Sequence, residues 1–265
     1  MRICHSIPDI RKTVAGFRAQ SETVVLVTTQ SACHAGHLAL IERAKTEGQR
    51  VVVTCVGALN SDADTFRNAG VDAVFVPKTS EFFTDDAQTH VETTDLAKTL
   101  LGKFSPGHFR TVATAACKMF NIVQPDAACF GEKDYQQLCV IRKMVQELNF
   151  PIRIIAVPTM READGIPASS LNLLLSPEDR AAAVILPQTL CQAVDLAKTG
   201  ITASRLRAWV AAQIQTEARA NPQSVDIRDA QTLATIAGPL VAPAVLLLAV
   251  KFGPILLIDH KVITP

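Results

Sequence analysis

VVLVTTQSACHAGHLALIERA, residues 24–44, is the stretch whose reading decides the fold. Val24 to Val27 form a continuous apolar run, which a strand buried on both faces requires. Leu38, Ile41 and Ala44 recur at helical spacing. The two patterns meet at His34-Ala35-Gly36-His37, so the histidines stand where a strand gives way to a helix. A helix start offers unpaired N–H groups, glycine lets backbone approach a ligand closely, and imidazoles donate hydrogen bonds to phosphate oxygens. Four such residues would also suit a surface turn. Their position after the first buried strand favours a phosphate cradle.

Working outward, valine- and isoleucine-rich runs recur at 51–56, 73–76, 127–130 and 152–157. Between them lie helical spacings, Val112/Ala116/Met119/Phe120 and Leu138/Ile141/Val145/Leu148. Alternation of this kind predicts βαβ units and a parallel sheet, with ligands outside the carboxyl ends of the strands. Past Asp164-Gly165 the rhythm changes to two helices, about 177–198 and 202–220, then short strands at 224–227, 244–250 and 255–258. The first of these helices has Ser176 as cap, Pro177 at its first position, and Glu178 and Asp179 at its positive end. The expected architecture is α/β: a Rossmann-like nucleotide-binding domain over 1–165 and a smaller α+β lid domain over 166–265.

Composition excludes several classes. Hydrophobic residues make up 48% of the 265 and charged residues 19%, as in a well-buried globular enzyme. A formal charge of +1 provides no global field for nucleic acid or an acidic membrane. The seven cysteines form no C-x-x-C pair, which argues against a disulfide framework or zinc site and for a reducing cytoplasm. The N-terminus lacks the apolar core of a signal peptide. The apolar stretch 236–258 is interrupted by Gly238, Pro239, Pro243, Lys251, Gly253 and Pro254, and reads as buried strands rather than a membrane span.

Three further stretches carry chemistry. In FGEKDYQQ, residues 130–137, Lys133 can place a charge on a polyphosphate, Asp134 can cap a helix or meet a sugar hydroxyl, and Gln137 follows one turn on. Alone, this reads as a capped, solvated helix start. In DGIPASSLNLLLSPEDR, residues 164–180, Ser169 and Ser170 lie before a helix where hydroxyls and backbone can donate to phosphate. SPGHFRTVAT, residues 105–114, brings His108 and Arg110 to another helix start. Convergence of such motifs at strand ends and at the domain junction raises the weight of each.

With HAGH, GHFR, NIVQPDAACFGEKDYQQL, the Ser-Ser loop and VDIRDAQTL in this order, most of the chain resembles the pantothenate synthetase (pantoate–β-alanine ligase) family. HxGH alone indicates only the wider nucleotidyltransferase-like superfamily. The resemblance implies an ATP-dependent carboxylate–amine ligase, working through an acyl-adenylate and releasing pyrophosphate and then AMP. It implies a homodimer, with small-molecule acid and amine as partners and Mg2+ accompanying ATP. It further implies that His34, His37 and Lys133 are catalytic, that Gly36, Gly131, Asp134, Ser169 and Ser170 bind the nucleotide, and that Gln137 binds the acid. A nucleotidyltransferase that leaves AMP on its product, or a non-catalytic nucleotide-binding relative, are the alternatives.

The departures fall in the acid half. Where the family has Pro-Thr-Met-Gly, this chain has Thr28, Thr29, Gln30 and Ser31, so an amide replaces the methionine against the acid. Where it has Asn-Pro-x-Gln-Phe, this chain has Gly57, Ala58, Leu59, Asn60 and Ser61, making Asn60 the counterpart of the second acid-binding glutamine. Asp62-Ala63-Asp64 runs almost directly into the next helix, so the family's flap is largely missing. The arginine of Ser-Ser-Arg-Asn is Leu171, and Arg161 and Arg180 are the candidates to replace its charge.

Overall fold

The computed structural model describes residues 1–29, 33–59 and 62–264. The chain runs β1 (Arg2–Cys4), α1 (Ile7–Arg18), β2 (Val24–Thr29), α2 (Ala35–Glu47), β3 (Arg50–Cys55), α3 (Asp62–Asn68), β4 (Ala73–Phe75), α4 (Thr79–Phe82), α5 (Leu101–Phe104), α6 (His108–Val123), β5 (Ala127–Gly131), α7 (Tyr135–Glu147) and β6 (Arg153–Val157). It continues through α8 (Pro177–Ala183), α9 (Ile185–Ala197), α10 (Ala203–Ile214), β7 (Ala220–Asp229), β8 (Ala244–Phe252) and β9 (Ile255–Ile263). Two compact units result. One comprises residues 1–97, 105–132 and 140–158; the other comprises 98–104, 133–139 and 159–265.

The first unit is built on a parallel sheet of order β1-β4-β3-β2-β5-β6. From β2 the chain winds outward through β3 and β4, then returns to β5 on the other side of β2. The strand order therefore reverses between β2 and β5, and the carboxyl ends at such a switch point are where open α/β sheets bind ligands. Val24, Val25, Leu26 and Val27 are completely buried, which explains the unbroken apolar run. Burying one such side chain contributes about 1.5–3 kcal/mol. Carboxylates tie down the opposite edge of the sheet: Asp126 accepts from the Val24 N–H at 2.7 Å and Asp72 from the Val51 N–H at 2.8 Å. Arg50 bridges Asp72 and Glu22 at 2.7 and 2.8 Å. That edge is fixed by structural contacts, and the carboxyl edge carries the motifs.

The second unit pairs an antiparallel sheet, β7-β8-β9, with α9 and α10. Its core gathers Leu186, Leu190, Leu206, Val210, Leu246, Val250 and Phe252. β8 and β9 are joined through Gly253-Pro254, with Phe252 paired to Ile255 and Gly253 at φ +54°, a conformation that favours glycine. Segment 98–104 belongs to this unit because the buried Gln136 amide accepts from the Leu101 N–H at 3.0 Å and donates to the Thr99 carbonyl at 2.8 Å.

Several details differ from the sequence expectation. The helix expected over 177–198 divides at Val184, because Pro187 has no N–H to donate and its ring crowds the carbonyl one turn back. β7 begins at Ala220 rather than 224, since the pairing with β8 shifts between Pro222 and Ser224, and this irregularity hides the strand's alternation. On α7 the buried stripe is Leu138, Ile141 and Met144, while Leu148 is exposed beyond the helix end. Among the described residues, no helix is long and apolar enough to cross a membrane.

Candidate active site

At the β2 carboxyl end, His34 is the N-cap of α2 with extended backbone, φ −136° and ψ 174°. Its Nδ1 accepts from the Gly36 N–H at 3.1 Å, and the His37 Nδ1 accepts from the His34 N–H at 3.4 Å. The two imidazoles thus form a reciprocal capping box, a role usually taken by serine and glutamate. Their ring centroids lie 4.0 Å apart. Because both Nδ1 atoms accept, the proton of each neutral ring sits on Nε2. The spacing H-x-x-H therefore closes the start of α2 with two imidazoles in place of the usual hydroxyl and carboxylate.

The loop before His34 is held by the Cys33 N–H, which donates to Asp62 at 3.0 Å. Burial, then the charge of Asp62, pushes the Cys33 thiol up to about 11. It is therefore a protonated, poorly nucleophilic group despite its place beside the histidine. We expect iodoacetamide at pH 8 to label Cys33 about a hundredfold more slowly than a free cysteine, measured by mass spectrometry of its peptide. All seven cysteines are free thiols. Thr29 is buried, and its hydroxyl is occupied within the sheet, 2.9 Å from the Cys55 sulfur.

Across the crevice from β2, strand β5 ends at Gly131. A Cβ there would meet no atom within 4 Å, and φ is not positive. Neither packing nor backbone conformation demands glycine at this point. The open space over it suits a ligand pressed against the strand end.

In the second unit, Lys133 and Asp134 form a short helical turn and pair at 3.9 Å, with side-chain exposures of 22% and 49%. Gln137 is partly buried on the first turn of α7. Sequence reasoning misses its neighbour Gln136, which is the buried structural amide; a signal lies in its position three and four residues before the buried Cys139 and Val140 of α7. Ser169 caps a short turn over Ser170–Leu174, its Oγ accepting from the Leu171 N–H at 3.3 Å. The Leu171 side chain is exposed, as are Leu173 and Leu174.

Arg161 and Arg180, the candidates to replace the charge of the family arginine, are both engaged by carboxylates. Arg161 grips Asp259 with both prongs at 2.8 and 2.9 Å and also donates to the Gly165 carbonyl at 2.9 Å. Arg180 donates to Glu162 at 2.7 Å and to Asp164 at 2.6 Å. Both guanidiniums are neutralised by carboxylates from their own neighbourhood. Gln30 and Asn60 lie outside the described residues.

A family profile described as pantoate-beta-alanine ligase matches residues 2–56 and 57–262. The chain belongs to the pantoate–β-alanine ligase family. It is 40% identical to the pantothenate synthetase of Agrobacterium fabrum over 280 aligned residues, covering 99% of this chain and 96% of that one. With the pantothenate synthetase of Bartonella henselae it shares 39% identity, covering 99% of both. Among solved structures, pantothenate synthetase from Thermus thermophilus superposes with a TM-score of 0.91 at 33% identity, covering 100% of both chains. Pantoate-beta-alanine ligase from Francisella tularensis, complexed with β,γ-ATP and β-alanine, superposes with a TM-score of 0.79 at 25% identity, covering 98% and 97%. The family fold and the chain's α/β architecture agree, including the small antiparallel sheet of the second unit.

Buried His260 on β9 packs against Tyr135, ring centroids 5.0 Å apart, while the Tyr135 hydroxyl donates to the Ala230 carbonyl at 2.8 Å. Burial, followed by the charges of Arg161, Lys261 and Lys133, pushes the His260 imidazole down to about 4. Its folded value lies below the unfolded one, so the unfolded state binds the extra proton as pH falls through 6.5. Stability is then lost down to about pH 4. At pH 5 the loss amounts to about 2 kcal/mol. Urea unfolding at pH 7 and pH 5 should show this difference in the natural protein, and a His260→Phe variant should abolish it.

Proposed function

We propose that this chain joins a carboxylic acid to an amine at the expense of ATP, as in pantoate + β-alanine + ATP giving pantothenate + AMP + pyrophosphate. A carboxylate oxygen attacks the α-phosphorus, the α–β phosphoanhydride bond breaks, and pyrophosphate leaves. The amine then attacks the acyl carbon and AMP departs with the bonding electron pair. A carboxylate is a poor electrophile, and adenylation supplies its leaving group, provided that the charge developing on the phosphates is met by fixed donors. The observation that carries this reading is the reciprocal imidazole cap after β2, with open space over Gly131 at the end of the neighbouring strand β5, where strand order reverses.

In this reading His34 and His37 donate through Nε2 to the phosphates, and Gly36 and Gly131 let the nucleotide approach. Asp134 holds the ribose, Lys133, Ser169 and Ser170 hold the phosphates, and Gln137, Gln30 and Asn60 are the residues for the acid. Residues 1–165 bind ATP and acid, and 166–265 act as a lid. Mg2+ enters with the triphosphate: among the described residues no group of three potential ligands gathers, and Mg2+ commonly binds through phosphates and few carboxylates. A homodimer in the cytoplasm completes the proposal; seven free thiols fit a reducing compartment.

Acid-dependent ATP–pyrophosphate exchange tests the reading, with pantoate beside other hydroxy acids, amino acids and simple carboxylates. Exchange with pantoate supports pantothenate synthesis, and exchange with another acid alone identifies a repurposed ligase. A stable AMP-bearing product formed without an amine would identify a nucleotidyltransferase instead. ATP binding without exchange across the panel would identify a non-catalytic relative, for which Leu171 and the neutralised state of Arg161 and Arg180 are the specific motive.

A further inference from the structure

Lys133 and Asp259 line the same small cavity of the second unit, with a volume of ≈ 30 Å³. A water needs about 10–15 Å³ of such space, so the cavity that both residues line has room for only about two waters. The Asp259 carboxylate is fully buried, whereas Asp134, the other carboxylate beside Lys133, is half exposed and 3.9 Å away. Ion pairs strengthen as water is excluded. Asp259 is therefore the stronger competitor for the Lys133 ammonium, and a lysine captured there cannot meet a phosphate.

Arg161 already holds that carboxylate. Its planar fork occupies both oxygens of Asp259, the arrangement for which guanidinium and carboxylate geometries match best. The same guanidinium is anchored to the Gly165 and His260 carbonyls at 2.9 and 3.4 Å, so the fork is held from two further sides. Of the other titratable groups around the cluster, His260 is buried as the neutral ring and Tyr135 keeps its hydroxyl proton on the Ala230 carbonyl. Cys191 acts on Arg161 and Lys261 acts on His260, and both stay in place in every variant used below. The charge of Lys133 reaches both Asp259 and His260, favouring the carboxylate of one and the neutral ring of the other.

We infer that Arg161 is a positioning residue which, by occupying both oxygens of the buried Asp259, keeps the Lys133 ammonium available to the polyphosphate of the nucleotide. This rests on the reading of Lys133 as a phosphate ligand. Arg161 thus contributes to phosphate binding without touching phosphate.

The test is calorimetric ATP affinity from about pH 8 to about pH 12 in the full chain, a range that brackets the loss of a lysine's charge at about 10.4 and a midpoint about one unit higher. In Arg161→Gln, released Asp259 pairs with Lys133: ATP binding weakens about tenfold at pH 8, and the alkaline midpoint at which binding is lost moves up by about one unit. Arg161→Gln/Asp259→Asn, lacking both partners, returns affinity and midpoint to within about twofold and a few tenths of a unit. Arg161→Lys keeps the charge but loses the fork and falls between; with the double variant it carries the test should Arg161→Gln not fold. A purely structural role would lower the melting temperature without moving the midpoint. An unmoved midpoint, or a double variant as weak as the single, overturns the inference. Lys133→Ala separates the two levels: unchanged ATP affinity there removes the phosphate role of Lys133 and the inference with it, whereas weakened binding there with an unmoved Arg161→Gln removes the inference alone.

Discussion

His37→Ala is expected to lower acid-dependent ATP–pyrophosphate exchange by roughly 10²–10³-fold, the cost of removing one preorganised donor from developing charge. The substitution deletes two functions at once. The Nδ1 acceptor of the capping box is lost, and so is the Nε2 group proposed to meet the phosphates. Side chains that cap without reaching the crevice separate these losses. His37→Gln preserves the acceptor at the third helical position, and His34→Asn preserves a good N-cap. Both should keep the melting temperature within a few degrees of the natural protein while losing exchange nearly as severely as alanine. A His37→Ala enzyme with undiminished exchange would sink the phosphate role of the pair. A His37→Gln enzyme with full activity would show that only the cap mattered.

How much of this site the sequence discloses depends on the physics behind each part. The sheet is legible because strands buried on both faces must be apolar throughout, as Val24–Val27 and Val51–Val53 are. The place of His34 and His37 is legible because strand, glycine and helix follow in order. Their reciprocal hydrogen bonding is not, because it depends on a cap geometry that no spacing specifies; H-x-x-H matches the S-x-x-E pattern only once imidazole is counted as an acceptor. The neutralisation of Arg161 is hidden for a different reason. Its partner Asp259 stands 98 residues away, and pairing at that range follows from topology rather than local pattern. Arg180, by contrast, lies near Glu162 and Asp164 in sequence, and a count of the carboxylates around the Ser-Ser loop shows that it is already balanced. β7 reads as shorter than it is because the irregularity between Pro222 and Ser224 breaks the alternation on which strand recognition relies.

Leu171→Arg should raise the rate of acid-dependent exchange by roughly ten- to more than a hundredfold. Leu171 stands where the family pattern Ser-Ser-Arg-Asn has arginine, and a hydrogen bond to a charged group is worth about 1.5–3 kcal/mol, with about 1.4 kcal/mol per factor of ten in rate. Its side chain is already exposed, and its contact with Ser169 runs through the backbone N–H, so the cap survives the substitution. The charge it would bring is not otherwise supplied by Arg161 or Arg180, each held by carboxylates at 2.6–2.9 Å. Leu171→Lys should gain less, since an ammonium lacks the fork that grips two phosphate oxygens. The measurement is the initial exchange rate at saturating ATP, with the melting temperature taken alongside. A gain of the expected size would show that adenylation is limited by uncompensated phosphate charge. A folded Leu171→Arg enzyme with an unchanged rate would place the limit elsewhere than at the phosphates, and the panel of acids would then decide the substrate.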